Sequence, residues 1–558
     1  MSSVGWQWKD FCIYLNYPIN TCGKLTFHSA ETKQSAIEIV KTLGENKNTA
    51  LQISDDSTPH FPFAPRNLDF LCISGSIYTM LIHEVEQIEQ VFENALTKRD
   101  FSGFSNIVGD YIFSFGRNDT VIVFNGIGSQ YDFFWNLKNG RFNGSTYHDF
   151  VVKTDDIDRN NLPLLCYGHG VNIYNNLNIL SRNCALLIEG KHCIVKNQAQ
   201  PIKNILPTHS TLEEISEVLY GSLKTHIGHI ISGKSKCALL LSGGIDSSVL
   251  ARCLYDCNVN VDFYTWSTRN QIISDSSFSS QVAAMFGNKL NALLVDEEPY
   301  GNLYPRHPAN VFPYFNPLSS WMEAAIILAK EAGNDMIMTG CFAESIRGSS
   351  MIQRLEPSLV ASVSFWDVLG AIGGIGRYIH KKTSRSPRKM DFFTLEAKTI
   401  IDNSTSPKIG AQMYSYKVNL MDYYRVELCS PFLNHDYTSL SRYMPKRYSN
   451  YHYAGFEINK VALRYAMLDK LPHSVVSRCY PSNTNHMIAR SFLPKANELL
   501  RDFTTDSYLV RNGIVDLEKI QQALRIHDIN TFDKNKTTLC PLLLIEKWLS
   551  AFENEEKT

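Results

Sequence analysis

The stretch Leu239-Leu-Leu-Ser-Gly-Gly-Ile-Asp-Ser-Ser248 decides the fold of the carboxyl half of the chain. Its leucines predict a buried strand, its paired glycines a tight turn, and the residues after them the start of a helix. Glycines let a phosphate approach the backbone, serines donate hydroxyl groups, and a helix N-terminus presents free N–H groups to an anion. Asp246 would repel phosphate unless a divalent cation lay between them, and Mg²⁺ binds carboxylate and phosphate oxygens together. The stretch therefore predicts a magnesium-dependent phosphate site.

Two better-known phosphate motifs do not describe this turn. It matches neither G-x-x-x-x-G-K-[ST] nor G-x-G-x-x-G, so P-loop kinases and Rossmann dehydrogenases are not supported. The plainer alternative is a glycine-rich strand-to-helix turn that binds nothing. The residues expected to contact a bound nucleotide here are Leu241, Ser242, Gly243, Gly244, Asp246, Ser247 and Ser248.

Around this turn, apolar runs alternate with helical patterns, which is typical of a parallel sheet covered by helices. The runs are Cys237–Leu241, Val261–Trp266, Ala292–Val295 and Met336–Met338, and the helical patterns are about Ser247–Asp256, Ser276–Phe286 and Ser319–Ala332. Beyond Thr339 the sequence predicts mainly helix. Ser267 ends the second run, where it would either touch the nucleotide or satisfy its own backbone.

The first two hundred residues show a different pattern, with short alternating segments separated by turns. Segments such as Asp110–Phe115, Thr120–Phe124, Tyr131–Trp135 and Asn139–Phe142 predict an antiparallel sheet. Helical periodicity at about Lys33–Leu43 and Glu84–Thr97 makes this half α+β. Thr211 followed by Glu214 fits a capping box, so we predict one domain over residues 1–205 and a second over 206–558.

Composition limits the class of protein. The 558 residues carry 54 basic and 55 acidic side chains, a net charge of −1, which gives no electrostatic footprint for nucleic acid. The 13 cysteines include no C-x-x-C pair, so a disulfide framework is not indicated. With no signal-like start and no long apolar run, we expect a cytoplasmic protein without a membrane span.

Further segments, in order along the chain, make it resemble the asparagine synthetase superfamily of the ATP-pyrophosphatase type. They are Val108–Phe115, Asn125–Gly128, Ser274–Ser277 before Val282–Ala284, Thr339–Gly340, Ser430–Leu433 and Lys460–Arg464 before Leu471–Pro472. The resemblance implies a glutaminase-like sandwich domain followed by an α/β synthetase domain with a parallel sheet, of the adenine nucleotide α-hydrolase-like kind. It also implies ATP and Mg²⁺ as cofactors and an acyl-adenylate intermediate that an amine converts to an amide.

Departures from the family pattern narrow the expected reaction. Glutamine-hydrolysing members expose an N-terminal cysteine, whereas position 2 is Ser2 and the first cysteine is Cys12, so glutaminase activity is expected to be absent. Without ammonia from glutamine, the attacking amine is then expected to be a group already present on the substrate. That arrangement is found in lasso-peptide cyclases, carbapenam synthetases and β-lactam synthetases.

The family segment S/T-G-x-G-x-D reads Thr339-Gly-Cys-Phe-Ala-Glu344. The resemblance places Gly340 at the nucleotide, Glu344 as the second metal ligand beside Asp246, and Cys341 where relatives hold an amine-activating residue, although a packed cysteine is the plainer interpretation. Tyr480 stands where relatives have a pyrophosphate-binding lysine, and Arg478, Arg490 and Lys495 are the candidates to supply the missing positive charge. Lys460 and Arg464, one helical turn apart, would meet phosphate or a neighbouring carboxylate.

We therefore predict an ATP-dependent lasso-peptide cyclase that forms a macrolactam in a precursor peptide, with a leader-binding protein and a leader peptidase as partners. Two alternatives remain: an ammonia-dependent asparagine synthetase or small-molecule β-lactam-type synthetase, and a non-catalytic nucleotide-binding subunit. Catalytic roles are expected for Lys460, Arg464 and Cys341. Asp246→Ala is expected to abolish magnesium-dependent adenylation without unfolding the protein.

Overall fold

The computed structural model describes residues 12–18, 26–30, 68–146, 151–166, 174–206, 210–267, 275–294, 319–343, 397, 424–478, 503–523 and 539–550, with short internal gaps. We refer to residues 12–206 as the amino half and to residues 210–550 as the carboxyl half. The division into domains at residues 205 and 206 stays a prediction.

The amino half contains two five-stranded antiparallel sheets, which confirms the antiparallel pattern predicted for it. The first sheet has the order β2-β1-β7-β6-β8 and the second the order β10-β9-β5-β4-β3. The strands are β1 (Cys12–Pro18), β2 (Thr26–Ala30), β3 (Phe70–Met80), β4 (Ile107–Arg117), β5 (Thr120–Asn125), β6 (Phe133–Lys138), β7 (Arg141–Ser145), β8 (Asn178–Leu180), β9 (Cys184–Glu189) and β10 (His192–Asn197).

Helix α1 (Val85–Lys98) covers the outer face of the second sheet, where the sequence predicted a helix over Glu84–Thr97. Its Phe92 packs edge-on against Phe115 of β4, with ring centroids 4.9 Å apart. Strand β4 is buried along nearly its whole length on both faces. Burial on both faces requires a layer on each side, and β1 and β8 of the first sheet contact β3 and β9 of the second.

The carboxyl half is built on a parallel sheet with the order β13-β12-β11-β14-β15. Its strands are β11 (Lys236–Leu240), β12 (Asn260–Ser267), β13 (Leu290–Leu294), β14 (Met336–Met338) and β15 (Glu427–Cys429). The first four were predicted. The fifth was not predicted, because three residues are too few to show a strand period; the described residues beyond Thr339 are otherwise mainly helical, as expected.

Both faces of the parallel sheet are buried against helices, as alternate residues of β11 show. Cys237 and Leu239 pack with α3 (Leu212–Ile230) and α4 (Ile245–Asp256), whereas Ala238 and Leu240 pack with α6 (Ser319–Glu331). Helix α5 (Asp275–Met285) contacts β12 and β13. The fold is thus mixed α/β, with a parallel sheet between helical layers and antiparallel sheets in the amino half.

Helix α3 begins as predicted. The Thr211 hydroxyl accepts a hydrogen bond from the Glu214 amide at 3.2 Å, and the Glu214 carboxylate accepts one from the Thr211 amide at 2.8 Å. The predicted helix at Lys33–Leu43 lies outside the described residues. None of the helices that the structure describes is both long and apolar enough to cross a membrane.

The remaining helices and strands lie on both sides of the parallel sheet in the chain. They are α2 (Leu162–Cys166) in the amino half and, in the carboxyl half, α7 (His435–Tyr443), α8 (Lys446–Ser449), the hairpin β16 (Asn450–Tyr453) and β17 (Phe456–Asn459), α9 (Val461–Tyr465), α10 (His473–Val476), α11 (Tyr508–Arg511) and α12 (Leu517–Ala523).

Candidate functional site

The turn between β11 and α4 has the shape that the sequence predicted. Gly243 adopts φ +70°, a left-handed conformation that glycine enters without steric cost. Gly244 is the N-cap of α4, and no side chain caps the helix there. Gly244 therefore offers no side-chain oxygen to the first amides of α4, at the end of the helix that favours an anion.

The serines of the turn hold its backbone in shape. The Ser247 hydroxyl accepts a hydrogen bond from the Ser242 amide at 3.1 Å, and the Ser248 hydroxyl donates to the Gly244 carbonyl oxygen at 2.8 Å. The Ser242 hydroxyl accepts from the Gly244 amide at 3.3 Å. Leu241 is fully buried, and its amide donates to the Tyr264 carbonyl of the neighbouring strand at 2.7 Å. These contacts fix the turn before any ligand binds.

Asp246 does not stand alone in this turn, because the Lys460 ammonium group lies 2.5 Å from each of its carboxylate oxygens. The Lys460 side chain is only 4% exposed and the Asp246 side chain 23%. A buried ammonium ion is costly unless it is paired, so the two charges depend on each other. The structure thus brings Lys460, a predicted catalytic residue, to the predicted phosphate turn.

Lys460 and Arg464 are one helical turn apart, as predicted, but their side chains go to different places. Lys460 is the N-cap of α9 with φ +58°, a left-handed conformation that directs it away from the helix. The Arg464 guanidinium donates instead to the Asn459 carbonyl at 2.7 Å and to the Val476 carbonyl at 2.6 Å. Arg464 therefore braces the segment that carries Lys460.

Gly340 brings the segment after β14 close to the same turn. A β-carbon built on Gly340 would lie 3.1 Å from the Ser247 amide nitrogen and 3.2 Å from the Asp246 β-carbon. The next residue, Cys341, is a partly exposed free thiol whose amide donates to the Thr339 hydroxyl at 3.4 Å. Gly340 therefore lies beside Asp246, with Thr339 and Cys341 on either side of it in the chain.

The two halves meet at this edge of the parallel sheet. Each half contributes one segment that the sequence analysis pointed out. A β-carbon on Gly128 would lie 2.5 Å from the Gly109 carbonyl oxygen and 3.1 Å from that of Leu433. Gln130 donates to the Leu428 carbonyl at 2.8 Å and accepts from the Ser430 hydroxyl at 2.9 Å. The turn at Asn125–Gly128 and the segment Ser430–Leu433 thus come together in space.

Other predicted residues are placed as follows. Ser267 ends β12 at the carboxyl edge of the sheet and is 7% exposed. The Arg478 guanidinium lies 4.3 Å from the centroid of the Phe278 ring. Ser2, Glu344, Tyr480, Arg490 and Lys495 lie outside the described residues.

A magnesium site was tested against the donor groups present. Over the described ranges, no group of three His, Cys, Asp or Glu side chains is arranged to hold a metal ion. Asp246 supplies one carboxylate, and Mg²⁺ in nucleotide sites commonly uses one or two carboxylates together with substrate phosphates. The residues therefore fit an Mg²⁺ ion that takes its other ligands from substrate phosphates. Asp246 would hold the ion, and the Lys460 ammonium group competes with the ion for the Asp246 carboxylate.

A second buried aspartate lies in the amino half, just before β6. Burial raises the pKa of Asp132 to about 7, against a smaller lowering by Arg182. Asp132 is 5% exposed, and its Oδ2 has no hydrogen-bond partner among the residues described. The Arg182 guanidinium stacks 4.6 Å from the centroid of the Phe342 ring, next to Cys341.

Comparisons with known proteins add little to this geometry. No family model matches the chain, and no curated protein does. A solved structure that matches is glutamine phosphoribosylpyrophosphate amidotransferase from B. subtilis complexed with ADP and GMP, over 77% of this chain and 72% of that chain, with 10% sequence identity and a TM-score of 0.14. A TM-score this low supports no conclusion about fold or chemistry. The fold itself defines a mixed α/β protein with a glycine turn, followed by a helix, at the carboxyl edge of a parallel sheet.

Two features of the site were not predicted. Lys460 and Asp246 are 214 residues apart, and no spacing in the sequence links them. Gln130 lies in a loop with no motif of its own, and it reaches across 298 residues to Leu428. Both pairings depend on how the halves and the β16–β17 hairpin pack, and hydrophobic periodicity carries no information about that.

Proposed function

We propose that this protein binds ATP at the turn formed by residues 242–248 and uses it to activate a carboxylate for amide formation. The observation that carries the proposal is the uncapped start of α4, at the carboxyl end of β11, with a left-handed glycine before it. Ligands of open α/β sheets bind at this edge, and backbone N–H groups at a helix start favour phosphate.

The charges around the turn support the same proposal. Lys460 is a buried ammonium group beside the turn, and Asp246 is its partner. A triphosphate entering this place would meet Lys460 as a positive charge, while Asp246 would become available to Mg²⁺. When bound, Mg²⁺ would neutralise phosphate charge. The task of the chain's own residues is to hold the phosphates and the reacting carboxylate in line.

The proposed reaction has two steps. A substrate carboxylate oxygen attacks the α-phosphorus of ATP, the bond to the β-phosphate bridging oxygen breaks, and the products are acyl-adenylate and pyrophosphate. An amine then attacks the acyl carbon, the bond to AMP breaks, and the amine loses a proton. The sum is one amide bond formed with release of AMP, pyrophosphate and a proton.

For the substrate we propose a precursor peptide in which a side-chain carboxylate and the amino terminus close a macrolactam. This part rests on the resemblance of the sequence motifs to lasso-peptide cyclases and on the divergent segment from Thr339 to Glu344. A leader-binding protein and a leader peptidase are proposed as partners on the same ground, and the cytoplasm as the location.

Binding of MgATP tests the site, and the chain offers a matched pair of glycines. Gly243 and Gly287 have φ of +70° and +69°, so alanine at either position imposes a similar backbone strain, about 1 to 2 kcal/mol. Gly243 lies in the turn, whereas Gly287 follows α5 and lines a groove at the amino edge of the sheet. Titration calorimetry should give a Kd for MgATP at least about ten-fold weaker in Gly243→Ala, which corresponds to about 1.4 kcal/mol. Gly287→Ala should bind as the unmodified protein does.

Equal weakening in both variants, or no MgATP binding by the unmodified protein, would contradict the assignment of the site. The reaction is tested separately by the products formed with a synthetic precursor peptide. Equal release of AMP and pyrophosphate, with loss of one water from the peptide by mass spectrometry, is expected. Release with aspartate and ammonium only would favour the asparagine synthetase alternative, and ATP binding with no release for any acceptor would favour a non-catalytic subunit.

A further inference from the structure

Gln130 connects the amino half to the edge of the parallel sheet where the candidate site lies. Gln130 is 7% exposed, and both ends of its side-chain amide are hydrogen-bonded. Nε2 donates to Asp110 Oδ2 at 2.9 Å and to the Leu428 carbonyl at 2.8 Å. Oε1 accepts from the Ser430 hydroxyl at 2.9 Å. Nε2 faces two acceptors, so the orientation of the amide is fixed. The Gln130 backbone amide also donates to Asp110, at 2.7 Å.

The contacts continue from Ser430 to the candidate site. The hydroxyls of Ser430 and Thr339 are 3.1 Å apart, and Thr339 also accepts from the Cys341 amide at 3.4 Å. Between Thr339 and Cys341 lies Gly340, on which a β-carbon would lie 3.1 Å from the Ser247 amide nitrogen and 3.2 Å from the Asp246 β-carbon.

The donors in this chain of contacts all point the same way. Because an amide oxygen only accepts, the single hydroxyl proton of Ser430 is committed to Gln130. Thr339 must then donate to Ser430. The order is Cys341 N–H to Thr339, Thr339 O–H to Ser430, Ser430 O–H to Gln130, and Gln130 N–H to the Asp110 carboxylate. Hydrogen bonds aligned in this way polarise one another, and the buried acceptor at the end is a carboxylate.

We propose that Gln130 is a positioning residue: it fixes the segment 339–341 against the Asp246 turn from the amino half of the molecule. The amino half then contributes to the candidate site through one buried amide, with no nucleophile required of it. The expected effect of Gln130 on nucleotide binding rests on the proposed function. The expected effect of Gln130 on the segment 339–341 does not.

A second contact between the halves provides the control. The Tyr78 hydroxyl donates to Glu427 Oε1 at 2.8 Å, at the opposite end of β15 from Ser430. Tyr78→Phe removes this hydrogen bond and a longer contact, 3.6 Å, from the same hydroxyl to Cys429 Sγ, and it leaves Glu427 with Lys234, 3.4 Å away. It leaves the backbone of Cys429, whose carbonyl accepts from the Thr339 amide, unchanged. If Gln130 only held the halves together, Gln130→Met and Tyr78→Phe would have the same effect on the segment 339–341.

The experiment is hydrogen exchange by mass spectrometry on the full chain without ligand, followed over peptides that cover residues 336–343. The amides of Thr339 and Cys341 are both hydrogen-bonded, so their exchange reports on the segment. In Gln130→Met we expect exchange there to be roughly five- to ten-fold faster, the size of one lost hydrogen bond. Tyr78→Phe should leave it unchanged. Ser430→Ala removes the next hydroxyl in this series of hydrogen bonds and keeps Gln130 in place, so its exchange should match that of Gln130→Met. It replaces Gln130→Met in the experiment if that variant does not fold.

Unchanged exchange at 339–341 in both Gln130→Met and Ser430→Ala, or an equal change in Tyr78→Phe, would overturn the inference. The Kd for MgATP separates it from the proposed function. If the unmodified protein binds MgATP, Gln130→Met should bind it several-fold more weakly while Tyr78→Phe binds it normally. If the unmodified protein binds no nucleotide, the proposed function fails, and the exchange measurement still decides the role of Gln130.

Discussion

Each half of the molecule withdraws an aspartate at least partly from water, and the two halves accommodate its charge in different ways. In the carboxyl half, Asp246 is paired with the Lys460 ammonium group at 2.5 Å. In the amino half, Asp132 has an oxygen without a hydrogen-bond partner in the described structure, and burial raises its pKa to about 7. One carboxylate keeps its charge by acquiring a partner, and the other is driven toward its neutral form.

This difference follows from the architecture of the two halves. In an antiparallel sheet the neighbours of a residue come from adjacent strands, and Asp132 lies just before β6 between the buried side chains of Tyr131 and Phe133 in the sequence. At the carboxyl edge of a parallel sheet, segments far apart in sequence converge, so a lysine from position 460 reaches an aspartate at 246. Paired charges that can be rearranged suit a site for a charged ligand, whereas a neutralised carboxyl group suits a packed interior.

The largest expected effect comes from cutting the ion pair. Asp246→Ala leaves a buried ammonium group without its partner, which should lower the free energy of unfolding by about 3 to 5 kcal/mol. The sequence-based prediction that this variant loses adenylation without unfolding stays a prediction, and the ion pair adds the expectation that the folded state is less stable. Urea unfolding measures the difference, and Asp246→Ala combined with Lys460→Met should recover most of it.

The amino half supplies the control for this measurement. Arg117 and Glu93 form a pair at 2.7 Å, but their side chains are 31% and 30% exposed. Glu93→Ala should therefore cost at most about 1 kcal/mol. If Asp246→Ala costs no more than Glu93→Ala, then the ion pair between Asp246 and Lys460 is not a buried one in solution.

The second effect is a pH dependence that belongs to Asp132. Its folded pKa, about 7, lies above the usual 3.8, so between those values the folded state holds more protons than the unfolded state. The stability that this carboxyl group contributes is fully present below pH 3.8 and is lost as the pH rises to about 7. The total corresponds to at most about 4 kcal/mol. Asp132→Asn should therefore gain stability relative to the unmodified protein as the pH is raised.

Urea midpoints at pH values of about 5 and 7.5, on either side of much of this window, measure the effect. Asp100 is the control, because hydrogen bonds from Ser102 lower its pKa. Asp100 is then ionised in both the folded and unfolded states over that range, and Asp100→Asn should differ from the unmodified protein by a constant amount. A constant difference for Asp132→Asn as well would show that Asp132 is ionised in the folded protein.

How much the sequence predicts also differs between the halves. The alternation at Asp110–Phe115 and Thr120–Phe124 sufficed to predict β4 and β5, and the buried run Cys237–Leu241 sufficed for β11. These elements bury whole faces, so the spacing of apolar residues along the sequence shows their secondary structure. Strand β15 was not predicted, because three residues show no period.

For the candidate site, local chemistry was predictable and long-range pairing was not. The glycines of the Ser242–Ser248 turn predict its backbone, and the structure shows Gly243 in the left-handed region. Nothing near Lys460 in the sequence indicates that its partner is Asp246. Gln130 likewise looks like an ordinary loop residue until Leu428 and Ser430 are placed beside it. These contacts are decided by tertiary packing, which no local propensity encodes.

The smallest expected effects compare two glycines, one where the halves meet and one within a helix. A β-carbon on Gly128 would lie 2.5 Å from the Gly109 carbonyl oxygen, and both neighbours there are backbone atoms that cannot rotate away. Gly128→Ala should therefore lower the free energy of unfolding by about 1 to 3 kcal/mol. Gly221, inside α3, has no heavy atom within 4 Å of such a carbon, so Gly221→Ala should raise it by about 0.5 to 1 kcal/mol through the better helix propensity of alanine. Thermal or urea unfolding of the two variants gives the sign of each change. Opposite signs are expected, and a Gly128→Ala variant as stable as Gly221→Ala would show that the turn relaxes away from the Gly109 and Leu433 carbonyl groups.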